Sequence, residues 1–250
     1  MTELRKQAAR ILGGLALCLV LWQTPCLGAD YKVGDIFDAT ENVRMGDKIF
    51  EDVLKYQKLN KDFTKGEFEK TDAFEKRLAA LLASPMESRL YVFPISGSYN
   101  ADTETLTLPV FTKKTMLICA MVTAQPGAWK ETTEAGLQVE GTITLQGVGI
   151  LDCINRDGLN DIYIKLSPET AATVKGDIVF VAAFTPVPQK GNDSGKYELA
   201  YIHTEVPAEK PAVADPTKTY LVEYHVHGKL HTIYIVRNKT GEILHIEQYN

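Results

Sequence analysis

Residues 219–249 read TYLVEYHVHGKLHTIYIVRNKTGEILHIEQY, and apolar side chains alternate with polar ones through most of this stretch. A period of two is typical of strands that bury one face. We predict three short strands, Tyr220–Val226, Leu230–Val236 and Glu242–Tyr249, with the first turn formed by Gly228 and one of its neighbours. A three-stranded sheet of this size is not stable alone, so we expect it to dock on a larger domain or on a partner.

The chain before this unit has two different characters. Residues 205–218 contain three prolines among alanine, lysine and glutamate, which predicts a semi-rigid extended linker. Residues 43–204 combine helical and strand-like patterns and are predicted to form the main domain. The sequence therefore predicts a main domain, a linker and a small β module at residues 219–250.

The main domain changes its hydrophobic period near Arg89. Apolar residues recur at helical spacing in residues 45–56 and 71–83, and a third, short helix is expected after the cap Ser167. These patterns predict an α+β fold, with N-terminal helices packed on a mainly antiparallel sheet and a three-stranded β appendage at the C-terminus. The predicted strands are Leu90–Phe93, Thr103–Val110, Met116–Val122, Gln138–Leu145, Gly147–Ile154, Ile162–Leu166, Ile178–Phe184 and Tyr197–His203.

Residues 1–28 have the three parts of a signal peptide. A basic start is followed by an apolar run at residues 11–22, which is too short to cross a bilayer core of about 30 Å as a helix. Small residues then precede Ala29, as a cleavage site requires; the alternative is a retained N-terminal anchor. We expect an exported bacterial protein, periplasmic or extracellular, that begins with an irregular segment at residues 29–42. No further long apolar run predicts a transmembrane span in the mature chain.

The charge of the chain argues against two classes of partner. The formal net charge of the 250 residues is −5, and removal of the basic leader leaves −7. Nucleic acids and anionic membrane surfaces are bound by basic patches, and no stripe of lysine and arginine interleaved with aromatics is present. We therefore expect an envelope protein or a small ligand as the partner, and no nucleic acid.

Two of the four cysteines, Cys119 and Cys153, lie outside the leader. An even pair in an exported chain is compatible with a disulfide. Both cysteines lie in apolar, strand-like segments, so two buried thiols that pack as small hydrophobic groups are the alternative.

The histidines are the most suggestive group of side chains, because all five follow residue 200. His225 and His227 are two residues apart on a predicted strand and therefore project from one face, which Glu223 shares. Two imidazoles and a carboxylate can bind Zn²⁺ or Cu²⁺. His231 is predicted to point to the other face, and the alternative for the whole set is a solvated hairpin face.

No established catalytic motif is present. The chain contains no Gly-x-Ser-x-Gly, P-loop or His-Glu-x-x-His pattern, and its cysteines are not placed as nucleophiles. Residues 155–161 resemble part of a calcium loop but lack the ligands at its first and last positions, which favours a hairpin turn. These observations favour a protein that is not an enzyme.

Residues 68–77, FEKTDAFEKR, resemble a phrase, F-E-x-T-x-x-[FY]-E-x-R, of uncharacterised exported bacterial proteins. In those proteins the helix precedes strands that bear a Tyr-x-Ala-Asp turn, here Tyr99–Asp102, and a short alanine-rich helix, here Ser167–Lys175. The resemblance covers about residues 60–185 and implies an exported protein to which no activity is assigned. Residues 236–244 are similar to the endings of small secreted β modules of the PepSY type.

Taken together, these features predict a non-enzymatic envelope protein that binds another envelope component. The alternative is a periplasmic protein that binds a metal or a small ligand through the histidine-bearing hairpin, at His225, His227 and Glu223. An unrecognised hydrolase is the third and weakest interpretation.

Overall fold

The computed structural model describes residues 31–38, 43–84, 86–109, 111–112, 116–123, 127–132, 136, 138–154, 161–191, 196–205 and 217–249. Within these ranges the protein is a mixed α+β structure with three α-helices and mostly strands. The predicted signal peptide lies outside the described residues, as do most of the predicted linker and most of the loop at residues 155–161. Among the described helices, none is long and apolar enough to cross a bilayer.

Most helices and strands lie close to the predicted ones, but the two predicted strands Gln138–Leu145 and Gly147–Ile154 are one continuous strand, and the C-terminus also differs. The helices are α1 (Ile49–Asn60), α2 (Thr71–Ala83) and α3 (Pro168–Val174), and single 3-10 turns precede and follow α1 at Gly46–Lys48 and Lys61–Phe63. The strands are β1 (Val43–Met45), β2 (Arg89–Pro94), β3 (Ser98–Asn100), β4 (Thr105–Leu108), β5 (Phe111–Thr112), β6 (Met116–Thr123), β7 (Gly127–Thr132), β8 (Gln138–Cys153), β9 (Ile162–Lys165), β10 (Ile178–Pro186), β11 (Gln189–Lys190), β12 (Tyr197–Glu198), β13 (Ala200–Glu205), β14 (Thr217–Arg237) and β15 (Ile243–Gln248).

The predicted hairpin at Gly228 does not form. Residues 217–237 are one continuous strand of 21 residues, β14, which lies at the centre of a ten-stranded sheet. The first half of β14 pairs in parallel with β8 and antiparallel with β13, and the second half pairs antiparallel with β10 and β15. The prediction of a separate C-terminal β module is therefore wrong, because this stretch supplies the strand around which the main sheet is built.

Gly228 is required for close packing instead of for a turn. It lies where the pairing of β14 passes from β8 and β13 to β10, opposite Pro186 and Cys153. A Cβ atom at this position would meet the carbonyl oxygen of Thr185 and lie 2.6 Å from the ring of Phe184. The residue type that suggested a turn is thus explained by the approach of a neighbouring strand to the backbone.

The two faces of the sheet carry two separate cores. On one face, α1 contributes Ile49, Val53 and Tyr56 to a cluster that includes side chains of β2, β10 and β14. On the other face, Tyr31, Phe37 and Tyr234 pack against one another, with ring centroids 5.3–5.8 Å apart. The segment at residues 31–38 has the irregular backbone that the sequence predicts, and its aromatic side chains pack on this second face.

Two smaller sheets complete the fold. β3, β4 and β9 form a three-stranded antiparallel sheet, and β11 and β12 form a hairpin between β10 and β13. After β3, the side chain of Asn100 accepts hydrogen bonds from the backbone N–H groups of Asp102 (2.9 Å) and Thr103 (3.2 Å), an Asx turn. At α3, the side chain of Ser167 accepts a hydrogen bond from the N–H of Thr170, which confirms the predicted cap.

Candidate functional site

The pairing of β13 with β14 brings two polar rows together. Tyr201 lies opposite His225, and His203 lies opposite Glu223. Directly opposite residues project from the same face of a sheet, with Cβ atoms about 4.5–5.5 Å apart. Glu205, two residues after His203, belongs to the same row.

A second pairing adds a carboxylate from the other edge of β14. Asp152, near the end of β8, lies opposite His227 in the parallel register. Its Oδ2 atom lies 2.9 Å from Nδ1 of His225 and 3.4 Å from Nδ1 of His227. Three adjacent strands, β13, β14 and β8, therefore place ionisable side chains on one face of the sheet.

His225 is the centre of this buried group. Its Nδ1 contacts Asp152, and its Nε2 lies 3.2 Å from Oε2 of Glu223. His225 is 1% exposed, and both carboxylate residues are 8% exposed. Each ring nitrogen of His225 thus faces one carboxylate. Removal of one partner from such a buried group leaves the others without compensation and is therefore costly.

Tyr201 covers the histidines from β13. Its ring stacks on that of His225 at a centroid distance of 4.2 Å and an interplanar angle of 8°, and it lies 5.1 Å from the ring of His227. Its hydroxyl donates to Oδ2 of Asp152 at 3.3 Å. Burial, together with the negative charge of Asp152, raises the pKa of Tyr201 above its ordinary value, so the hydroxyl stays protonated.

His227 lies at the rim of the group. Burial lowers the pKa of His227 below its ordinary value; the negative charge of Asp152 opposes this effect and His225 adds to it. One oxygen of Asp152, Oδ1, is buried and has no hydrogen-bond partner among the described residues. Asp152 thus directs one oxygen at Tyr201 and both histidines and leaves the other without compensation.

A group of possible metal ligands lies at the outer end of the row. One ligand atom each from His203, Glu205 and Glu223 lies within 4.8 Å of the other two. His203 and Glu205 are exposed, whereas Glu223 is buried and contacts His225. The group can therefore be reached from solvent on one side and is connected to the buried histidine on the other.

The structure separates the predicted metal ligands into two roles. Of His225, His227 and Glu223, only Glu223 belongs to the group whose atoms lie within reach of one ion. Both nitrogens of His225 already face carboxylates, and Nδ1 of His227 faces Asp152. His231 lies elsewhere, at the bulge of β14, where its Nε2 is 2.8 Å from Oγ1 of Thr185.

Sequence reasoning missed Asp152, Tyr201, His203 and Glu205. The pattern Tyr-x-His-x-Glu at residues 201–205 is itself a signal, since it places three polar side chains on one face of a strand. This signal indicates a site only when the partner strand is known. The predicted hairpin would instead have paired that partner strand with residues 230–236.

The register of β6 and β8 argues against the predicted disulfide. Cys119 is the extra residue of a β-bulge in β6. Its neighbour Ile118 pairs with Ile150 of β8, and Ala120 pairs with Gly149. At about 3.3 Å per residue this puts the backbone of Cys119 roughly 11 Å along the strand from Cys153. A disulfide requires Cα atoms about 4.4–6.8 Å apart. Cys153 is buried, with its Sγ 3.7 Å from the carbonyl oxygen of Leu151.

Comparisons with known proteins give no match. No protein-family model, no curated protein and no solved structure matches this chain. Function must therefore be inferred from the geometry.

Proposed function

We propose that this protein binds one divalent transition-metal ion through His203, Glu205 and Glu223, as a metal-binding protein of the bacterial cell envelope. The observation that carries the proposal is that one ligand atom from each residue lies within 4.8 Å of the other two. Two of the ligands come from adjacent positions of one face of β13, and the third lies directly opposite on β14. Paired strands hold such side chains in a fixed relation without a loop.

The donor atoms define the class of metal. One imidazole nitrogen and two carboxylate oxygens suit Zn²⁺ and its first-row neighbours, and three protein ligands leave a position for water or a small ligand. Ca²⁺ and Mg²⁺ bind through oxygen ligands almost alone, so the histidine disfavours them. By the general order of affinities, Cu²⁺ is expected to bind more tightly than Zn²⁺.

The buried neighbours supply a supporting layer for the third ligand. Glu223 contacts His225, and His225 contacts Asp152. Hydrogen bonds to a ligating carboxylate fix its orientation, and removal of such partners typically costs about 10–100-fold in metal affinity. In this proposal neither predicted ligand on the buried side binds the metal: His225 supports Glu223, and His227 contacts Asp152.

The envelope location is part of the proposal. It is supported by the basic start, short apolar run and small-residue cleavage site of residues 1–28. The corresponding role of the protein is to receive the ion from a partner in the envelope, or to pass the ion to it. N-terminal sequencing of the natural protein from envelope and cytosolic fractions tests the location independently of the metal site.

The metal proposal is tested by titration calorimetry with Zn²⁺, Cu²⁺ and Ca²⁺ on the chain from Ala29 onward. We expect one Zn²⁺ per chain, tighter binding of Cu²⁺ and no measurable binding of Ca²⁺. His203→Ala and Glu205→Gln should each weaken Zn²⁺ binding by about tenfold or more, whereas His227→Ala should change it little.

The chain offers a matched control for these variants. His245 and Glu247 on β15 form a second His-x-Glu pair, with Nε2 and Oε2 3.4 Å apart. Their cross-strand neighbours are Ile235 and Ile233, which cannot ligate a metal. His245→Ala should therefore leave Zn²⁺ affinity unchanged. No heat with Zn²⁺, or full affinity in both His203→Ala and Glu205→Gln, would overturn the proposal.

A further inference from the structure

A cavity of about 410 Å³ lies between α2 and the hairpin of β11 and β12, away from the histidines. This volume lies within the range of about 300–1,000 Å³ that is usual for small-molecule sites. The residues that line it are Phe63, Thr64, Lys65, Phe74, Leu78, Lys190, Lys196 and Tyr197.

Four of the eight residues that line the cavity are apolar or aromatic. Phe63, at the end of the 3-10 turn, is 6% exposed and belongs to the main core. Phe74 and Leu78 lie one turn apart on the same face of α2, and Tyr197 projects from β12 on the other side. None of the residues of α2 is fully buried, so the apolar stripe of this helix is only partly covered by the protein itself.

Arg77 holds the loop at residues 62–69 against α2. Its Nε and Nη2 atoms donate to the two carboxylate oxygens of Glu69 at 2.9 and 2.8 Å. The same guanidinium donates to the carbonyl oxygens of Asp62 and, at 3.1 Å, Thr64. A bidentate pair with two further backbone bonds fixes the loop that carries one side of the cavity, so the cavity is formed before a ligand arrives.

The charged groups that line the cavity have a single sign. Lys65, Lys190 and Lys196 line it, and none of the described lining residues is acidic. On the loop at residues 62–69, the carboxylate of Glu69 is engaged by Arg77. In a chain with a net charge of −5, three lysines around one apolar cavity concentrate positive potential where an anion would enter.

We propose that this cavity binds a small amphipathic carboxylate, with its apolar tail against Phe63, Phe74 and Leu78 and its carboxylate among the lysines. Each part of the ligand matches a part of the site: apolar surface gains free energy by burial, and a carboxylate gains charge-assisted hydrogen bonds from ammonium groups. The site is independent of the metal proposal, because it shares no residue with the group of His203, Glu205 and Glu223.

The test is titration calorimetry with decanoate, decan-1-ol and acetate as probes. Decanoate should bind at one site per chain, and the alcohol and acetate should each bind about tenfold more weakly or worse, because each lacks one half of the recognised chemistry. The variant Lys65→Glu/Lys190→Glu should reduce decanoate affinity by about tenfold or more.

The control variant is Lys175→Glu/Lys239→Glu, which makes the same change in net charge at exposed lysines that do not line the cavity. It should keep the affinity of the unaltered chain, and thermal unfolding checks that both double variants fold. Absence of decanoate binding, equal affinity for decan-1-ol, or equal losses in the two double variants would overturn the proposal.

Discussion

His203 and Glu223 lie directly opposite one another on β13 and β14. This pairing joins an exposed histidine to a buried carboxylate, and through it to His225 and Asp152. Since neighbouring strands fix the register, the four side chains form one row from the surface to the interior. The proposed metal site occupies the exposed end of that row.

The supporting role of Asp152 predicts a loss of metal affinity without loss of the ligands. Asp152→Asn removes the charge that faces His225 and should weaken Zn²⁺ binding by about 10–100-fold, because Glu223 is then less well oriented. Titration calorimetry measures the affinity, and urea unfolding of the metal-free protein measures the stability. A variant that loses stability but keeps its Zn²⁺ affinity would show that Asp152 has a structural role only.

Gly228 predicts a large effect on folding. Gly228→Ala drives a methyl group into the Thr185 carbonyl and the Phe184 ring, so the free energy of unfolding should fall by about 2 kcal/mol or more. Urea denaturation measures this change. The control is Gly176→Ala, since a Cβ there meets nothing within 4 Å. Similar stabilities for the two variants would contradict the close strand crossing.

The buried carboxylate of Asp52 predicts a second effect on stability. Asp52 lies on α1, which packs on the sheet face opposite the histidines. Its Oδ2 accepts from the hydroxyl of Tyr91 at 2.7 Å and lies 2.9 Å from Nε of Arg44, and the residue is 2% exposed. Asp52→Ala leaves those partners buried without their carboxylate and should cost about 3 kcal/mol in urea unfolding. The exposed Asp72→Ala on α2 should cost less than about 1 kcal/mol, and an equal cost would contradict the assignment.

His227 predicts a pH dependence of stability. Burial lowers its pKa in the folded state, so the unfolded chain binds a proton more readily as the pH falls through about 6.5. The contribution of His227 to the free energy of unfolding is therefore fully present above that pH. It is lost as the pH falls below it, until the folded state also takes up the proton. The titratable groups that face His227 are Asp152, which opposes the shift, His225, which adds to it, and Tyr201, whose ring lies 5.1 Å away.

The corresponding experiment compares urea unfolding at pH 7 and pH 5. His227→Asn, which keeps a polar group near the position of Nδ1, should lose less stability between these two pH values than the unaltered chain. An identical loss in both proteins would mean that His227 does not contribute to the pH dependence.

The helices were predictable because their signals are local. Helix α2 begins and ends at the predicted residues, since its apolar spacing and the following Pro85 depend on no other part of the chain. The strand alternation of residues 220–236 was also recognised. Gly228 was assigned to a turn because glycine beside polar residues is typical of turns, whereas its actual role depends on β10, some forty residues earlier.

The site was less predictable than the fold. The same-face relation of Glu223, His225 and His227 follows from the period of one strand. The contributions of Asp152 and His203 depend on the register of β14 with β8 and β13, and period alone does not specify which strands pair. An assumed hairpin placed residues 230–236 where β8 or β13 lies, and so concealed both contributions.

Zinc K-edge X-ray absorption on the Zn²⁺-loaded chain tests the central claim most directly, because it reports the donor atoms themselves. We predict a first shell of one imidazole nitrogen with carboxylate and water oxygens at about 2.0–2.2 Å, which loses its imidazole signal in His203→Ala. A shell with two or more imidazoles that persists in His203→Ala would instead place the metal at His225 and His227, and would contradict this account.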